Sequence, residues 1–321
     1  MSRSDECCTL EIVPERAVDE ETSTLALEEA AMMGQITVRR MEQQMKSIYL
    51  NLKRFDIPAE RGGVNRIAPS ALWGRYIVQY TQETLKQFTE QANFTMYFPE
   101  AHILAAVGAR STESPVRIGC QGIFQADTAI GGNFGAFTSE RTANSMAALG
   151  CESVLIGHCE ERNVKMAILA EADVADTDAI NRILNREIKS AQAAGLDVLY
   201  CIGEKSEEQT SWQQVLGKQL DIGLEGVDKS RVTIAYEPIW SIGPGKVPAD
   251  KPYIEKIARF IKERTGGMRV VYGGGLKEDN AQMLSEIEQI DGGLIALTRF
   301  SGEIGFYPEE YLEIIRRYLR K

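Results

Sequence analysis

Four side chains of this 321-residue chain sit where apolar runs stop. The run "SIYLNLK" (47–53) closes on Asn51 and Lys53, "SVLIGH" (153–158) on His158, and "VTIAYE" (232–237) on Glu237. An amide, an ammonium, an imidazole and a carboxylate, brought together, can move a proton off carbon and hold the negative charge that results. Within "YLNLK", Tyr49, Asn51 and Lys53 are two apart and share one face of an extended segment, with Leu50 and Leu52 on the other. Each group also has a plain structural alternative: a solvated strand-end lysine, a satisfied core histidine, a glutamate that merely ends a strand before Pro238. Convergence on one rim favours chemistry, because burial beside an apolar loop perturbs the pKa of such groups. The other histidine, His102 in "FPEAHIL", has no such company and is expected to be structural.

The elements that must carry these groups read as alternating strands and helices. Short β-rich runs fall at 47–52, 94–98, 116–120, 153–157, 197–202, 232–236, 269–273 and 293–297. Helical patterns lie between them, among others at 71–91, 140–149, 178–194, 251–264, 278–289 and 308–321. The strands are near-continuous apolar runs, as expected when both faces of a parallel sheet are covered. Eight such units fit an α/β fold of the closed (β/α)8 barrel type, where sites lie at the C-terminal ends of strands. No G-x-G-x-x-G follows the first strand, which counts against a dinucleotide cofactor.

Composition narrows the partners. With 44% apolar and 26% charged residues the chain can bury a substantial core. A formal net charge of −10 argues against nucleic acid, since phosphate neutralisation needs clustered Lys and Arg. Residues 1–31 hold nine carboxylates against Arg3 and Arg16, so an acidic extension over 1–45, mobile or weakly helical, is expected to precede a barrel over 46–321. The opening segment lacks the basic start and apolar stretch of a signal peptide, and no run reaches the roughly 18 apolar residues of a membrane span. The cysteines at 7, 8, 120, 151, 159 and 201 have no paired spacing. Buried free thiols in a cytoplasmic protein are the expectation.

In order along the chain, "NLK", "GAFTSE" (135–140), "VLIGHCEER" (154–162), "CIGE" (201–204), "AYEPIWSIGPGK" (235–246) and "YGGGL" (272–276) resemble the triosephosphate isomerase family over about residues 46–300. The resemblance implies an aldose–ketose isomerase for dihydroxyacetone phosphate and glyceraldehyde 3-phosphate, working through an enediolate with no metal or organic cofactor. It makes Glu237 the base and a neutral His158 the electrophile. Lys53 and Asn51 would stabilise the developing charge, and Glu160 would orient Lys53. "PIWSIGPGK" (238–246) becomes a water-excluding lid: Pro238 stiffens its hinge, Ile239 and Trp240 pack it closed, and the Gly243 amide approaches phosphate. A homodimer through residues 121–140 is implied as well.

Several positions depart from the family pattern. Cys159 replaces a serine, Glu161 an arginine, Gly122 an asparagine and Pro244 a threonine, and the first loop (54–70) looks long. At the phosphate end Gly275 replaces a serine, and Ala296 and Leu297 stand where a glycine pair is usual. Arg299 follows, either as a new bidentate phosphate contact or as an arginine in a surface pair. These changes leave two alternatives open: the same chemistry on a four-carbon ketose phosphate, and a catalytically silent sugar-phosphate-binding or interaction protein.

Overall fold

The computed structural model describes residues 45–243 and 246–319. The expected extension with Cys7 and Cys8, and Pro244 in the lid, lie outside the described residues.

Eight parallel strands close in sequence order: β1 (Lys46–Asn51), β2 (Ala92–Phe98), β3 (Val116–Cys120), β4 (Ser153–Ile156), β5 (Asp197–Ile202), β6 (Val232–Tyr236), β7 (Val270–Tyr272) and β8 (Gly292–Ile295). The last strand returns to the first, with Ser47 in register with Gly292 and Leu50 with Ile295. This is the (β/α)8 barrel that the alternation of apolar runs and amphipathic stretches predicts. The pleat sorts side chains between two compartments. Inside the barrel Tyr97, Leu155, Leu199, Cys201, Ala235, Val271 and Leu294 pack together with Tyr49 against them. Their strand neighbours, such as Ile48, Leu50, Met96, Ile118 and Ile234, face the helices.

Most of the helices bury an apolar stripe at helical spacing, and those that start at Ala143, Cys159, Thr177 and Lys251 open on a side-chain cap. In α1 (Trp73–Leu85) the buried Trp73, Ile77, Val78, Thr81 and Leu85 share one face. After α2 (Glu100–Val107) and the short α3 (Ala143–Ala148), α4 (Cys159–Ala170) starts directly from β4, with His158 as its cap. Helix α5 (Thr177–Ala193) opens where the Asp176 side chain accepts the Ala179 N–H, and buries Ile180, Leu184 and Ile188. The outer layer continues with α6 (Trp212–Gly223) and α7 (Lys251–Thr265), then α8 (Ala281–Ser285) and α9 (Pro308–Leu319). Among the described residues no helix is long and apolar enough to cross a membrane.

Two sequence expectations shift. The eighth strand stops at Ile295, not at 297, because the chain then turns into a bridge between Arg299 and Gly305. The 278–289 pattern yields only Ala281–Ser285 as helix, since the Asn280 side chain first closes a turn onto the Lys277 N–H and the Gly275 carbonyl. His102 is a core residue as expected, its Nε2 at 3.2 Å from Asp56 Oδ2 and its ring against Trp73.

Candidate active site

At the C-terminal mouth of the barrel, strand ends bring the sequence-predicted groups together. Asn51 closes β1 and is 4% exposed. Its Oδ1 accepts the Lys53 N–H at 3.0 Å, which turns the chain at Lys53 into a left-handed conformation, φ 40°. Lys53 therefore leaves the shared strand face that its spacing predicts and points across the rim, where its Nζ donates to Glu160 Oε1 at 2.7 Å. A non-glycine residue in this region is strained, by about 1–3 kcal/mol, and needs its surroundings to hold it. Gln121 does so: its Nε2 donates to the carbonyls of Lys53 (3.0 Å) and Tyr97 (3.1 Å) and to Asn51 Oδ1 (3.4 Å). Sequence reading placed Gln121 only at the start of an interface loop. Its role depends on partners 24 to 70 residues away and leaves no local signal.

His158 sits between β4 and α4. Its Nδ1 accepts the Glu160 N–H at 3.2 Å, which leaves the ring's N–H to Nε2. Nε2 lies 3.2 Å from Glu237 Oε1, without the alignment of a hydrogen bond, and Oε1 has no other partner. The second oxygen, Oε2, accepts the Cys159 N–H at 3.1 Å. Glu237 is 1% exposed and follows directly on β6. Two glycines make its place. A Cβ on Gly203 would stand 1.8 Å from the Glu237 carbonyl oxygen, and one on Gly273 2.8 Å from its Cγ. Gly203 thus clears the Glu237 main-chain carbonyl, and Gly273 clears the side chain that carries the carboxylate.

Electrostatics follow the burial. Burial pushes the Glu160 carboxyl up, but the Lys53 ammonium outweighs it and holds the group below its ordinary value. Burial, then the nearby Glu237 charge, pushes the Cys159 thiol up to about 12. Glu161 tightens the same turn: it accepts the Gly157 N–H at 2.6 Å and pairs with Lys165 at 2.7 Å, which also reaches Glu187 at 3.0 Å. Arg162 adds bonds to the carbonyls of Gly157 (2.8 Å) and Cys201 (3.0 Å).

Beyond Glu237 the chain folds into a short 3-10 turn, Ile239–Ser241. Glu204 anchors it from beneath: Oε1 accepts Tyr236 Oη–H (2.9 Å), Trp240 Nε1–H (2.8 Å) and Tyr253 Oη–H (3.0 Å). Burial raises the Glu204 pKa despite these three donors. Gly243, the last described residue before the lid tip, has φ 112°, and Gly275 has φ 96°. Ala296 and Leu297 are half-buried just past β8. A cavity of about 850 Å³ opens beside Asn51, Lys53, His158 and Glu160, with Gln121 and Arg141 on its wall.

One expected contact is corrected. Arg299 is not free for a phosphate: its Nε and Nη2 donate to Glu310 Oε1 at 2.8 and 2.5 Å, and its guanidinium lies 3.8 Å over the Tyr307 ring. The Arg299–Gly305 bridge turns the side chain toward α9.

A family model described as triosephosphate isomerase matches residues 75–316, beginning after β1. The triosephosphate isomerase of Pelodictyon phaeoclathratiforme is 38% identical over 175 residues, covering 51% of this chain and 64% of that protein. That of Rhodopirellula baltica is 32% identical over 211 residues, 61% of this chain and 76% of the relative. The crystal structure of triosephosphate isomerase from Bartonella henselae aligns with a TM-score of 0.63 at 22% identity, over 86% of this chain and 99% of that one, and speaks to the fold alone. With the family's pattern matched over most of the barrel, this chain belongs, as a divergent member, to the triosephosphate isomerase family of isomerase enzymes.

Proposed function

We propose that the protein interconverts an aldose phosphate and a ketose phosphate, with dihydroxyacetone phosphate and glyceraldehyde 3-phosphate as the pair. The observation that carries this reading is the buried Oε1 of Glu237, without a hydrogen-bond partner and 3.2 Å from the Nε2 of a histidine whose Nδ1 is already an acceptor. Substrate carbon placed between them would lose a proton to Oε1 as Nε2–H polarises the adjacent carbonyl. The electrons of the C–H bond move into an enediolate, His158 gives its Nε2 proton to the former carbonyl oxygen and takes one from the former hydroxyl oxygen, and Glu237 returns the carbon-bound proton to the neighbouring carbon. Lys53 and the amide nitrogen of Asn51 stabilise the charge that develops. Glu160 keeps Lys53 over the rim. Closure of residues 238–246 excludes water and strengthens these interactions. The Gly243 and Gly275 amides and the backbone at Ala296 and Leu297 hold the phosphate, and no role falls to Arg299.

Glu237→Gln removes the base with little change of shape. Turnover should fall by about three orders of magnitude while substrate still binds; activity within tenfold of wild type would mean that the base is elsewhere. A four-carbon ketose phosphate is the second reading, supported by the half-buried Ala296 and Leu297 where the family has glycines. Turnover of triose and tetrulose phosphates measured side by side separates the two. Binding of both without turnover of either would leave a silent sugar-phosphate-binding protein. A homodimer through 121–140 fits the near-complete exposure of Ile130 and Phe134 on that loop and the partial exposure of Val164 and Ile168 on α4. A cytoplasmic setting accords with the free thiols of Cys120, Cys151, Cys159 and Cys201.

A further inference from the structure

The barrel mouth also sets a thiol that proton transfer does not use beside the proposed base and electrophile. One imidazole nitrogen of His158, the Cys159 sulfur and a Glu237 carboxylate oxygen lie within 4.8 Å of one another. Glu237 is 1% exposed; its Oε1 has no hydrogen-bond partner and stands 3.2 Å from His158 Nε2, and its Oε2 accepts the Cys159 N–H at 3.1 Å, which brings the carboxylate to the start of the Cys159 turn. The proton-free Nδ1 is 3.7 Å from Cys159 Sγ. Nitrogen, sulfur and carboxylate oxygen around one point suit zinc, whose bonds of about 2.0–2.3 Å set tetrahedral ligands about 3.3–3.8 Å apart. Shifts of about 1 Å close the trio to that spacing.

We propose that His158, Cys159 and Glu237 form an inhibitory site for a borderline-soft divalent cation such as Zn²⁺, with water as the fourth ligand. As the ion binds, the Cys159 thiol releases its proton to solvent and forms the S–Zn bond. His158 gives the Nδ1 lone pair and lets go of the Glu160 N–H. Glu237 supplies a carboxylate oxygen. Base and electrophile are then tied to the ion, and metal and substrate exclude each other. That competition rests on the isomerase reading; the binding does not.

Co²⁺ is the probe, because a bound thiolate gives it a charge-transfer band. Added to the reduced full-length protein, it should produce that band with tetrahedral visible absorption, and Zn²⁺ should displace it. The spectrum should persist in a Cys7→Ser/Cys8→Ser variant, vanish in Cys159→Ser and weaken in Glu237→Gln. In turnover assays Zn²⁺ should raise KM with kcat unchanged, reversibly with a chelator. Cys159→Ser should need at least about tenfold more Zn²⁺ to halve its own metal-free rate. No thiolate band in the wild type, or a band that survives Cys159→Ser, overturns the site. A Co²⁺ complex that forms as described on a protein with no isomerase activity supports the site and removes only the functional reading.

Discussion

The Cγ of Glu237 lies 2.8 Å from the point where a Cβ on Gly273 would stand. Glu237 directly follows one barrel strand and Gly273 the next, so the room for the carboxylate is made beside the neighbouring strand. Gly273→Ala should push the carboxylate away from His158 by a fraction of an ångström to an ångström. Misplacement of that size costs about a hundredfold in kcat. KM should change little, because the phosphate contacts proposed above fall to other residues. Steady-state kinetics check this, and an unchanged kcat would show that the carboxylate relaxes without loss.

Gln121 holds the turn that aims Lys53: the N–H groups of its Nε2 are shared among the Lys53 and Tyr97 carbonyls and Asn51 Oδ1. Gln121→Ala leaves the Lys53 and Tyr97 carbonyls without that donor and removes the brace on a strained φ. A loss of about 1–2 kcal/mol of positioning corresponds to roughly a five- to thirtyfold fall in kcat/KM. Circular dichroism should show the barrel still folded. A kcat/KM equal to wild type would mean that the Lys53–Glu160 pair alone sets the geometry.

Burial, then the Glu161 carboxylate, pushes Glu187 up to about 9. An unfolded glutamate titrates near about 4.3. Between these values the folded protein holds a proton that the unfolded chain has lost, so this group's contribution is present below the unfolded pKa. It drains away as pH rises through the folded one. For Glu161 burial raises the pKa, but Lys165 and the other partners outweigh it, and its contribution is lost only toward acid pH. Glu187→Gln should therefore flatten the fall in stability between about pH 5 and 9 and leave the variant more stable than wild type at the alkaline end. Denaturant unfolding at several pH values measures this, and parallel slopes would reject a protonated Glu187.

Arg299 spends its guanidinium on Glu310 and Tyr307. Arg299→Ala should lower Tm by unpairing a half-buried carboxylate, with KM within about twofold of wild type. A KM raised tenfold or more would return Arg299 to the phosphate.

The sequence by itself determined the barrel and which polar groups gather at its mouth. Apolar runs that end on Asn51, His158 and Glu237 define strands whose last residues face one rim, because a parallel strand buried on both faces leaves only its end open to a ligand. "VLIGHCEER" and "AYEPIWSIGPGK" named the family by local order alone. Tertiary structure decided what local order does not encode. Lys53 leaves its strand face because a side-chain acceptor at Asn51 turns the chain. Gln121 reaches Lys53 across 68 residues. Arg299 faces α9 because a bridge to Gly305 aims it there, although its position just past the glycine-pair site suggested phosphate. Periodicity records which way a residue points within its own element; which distant group satisfies it depends on how the elements pack.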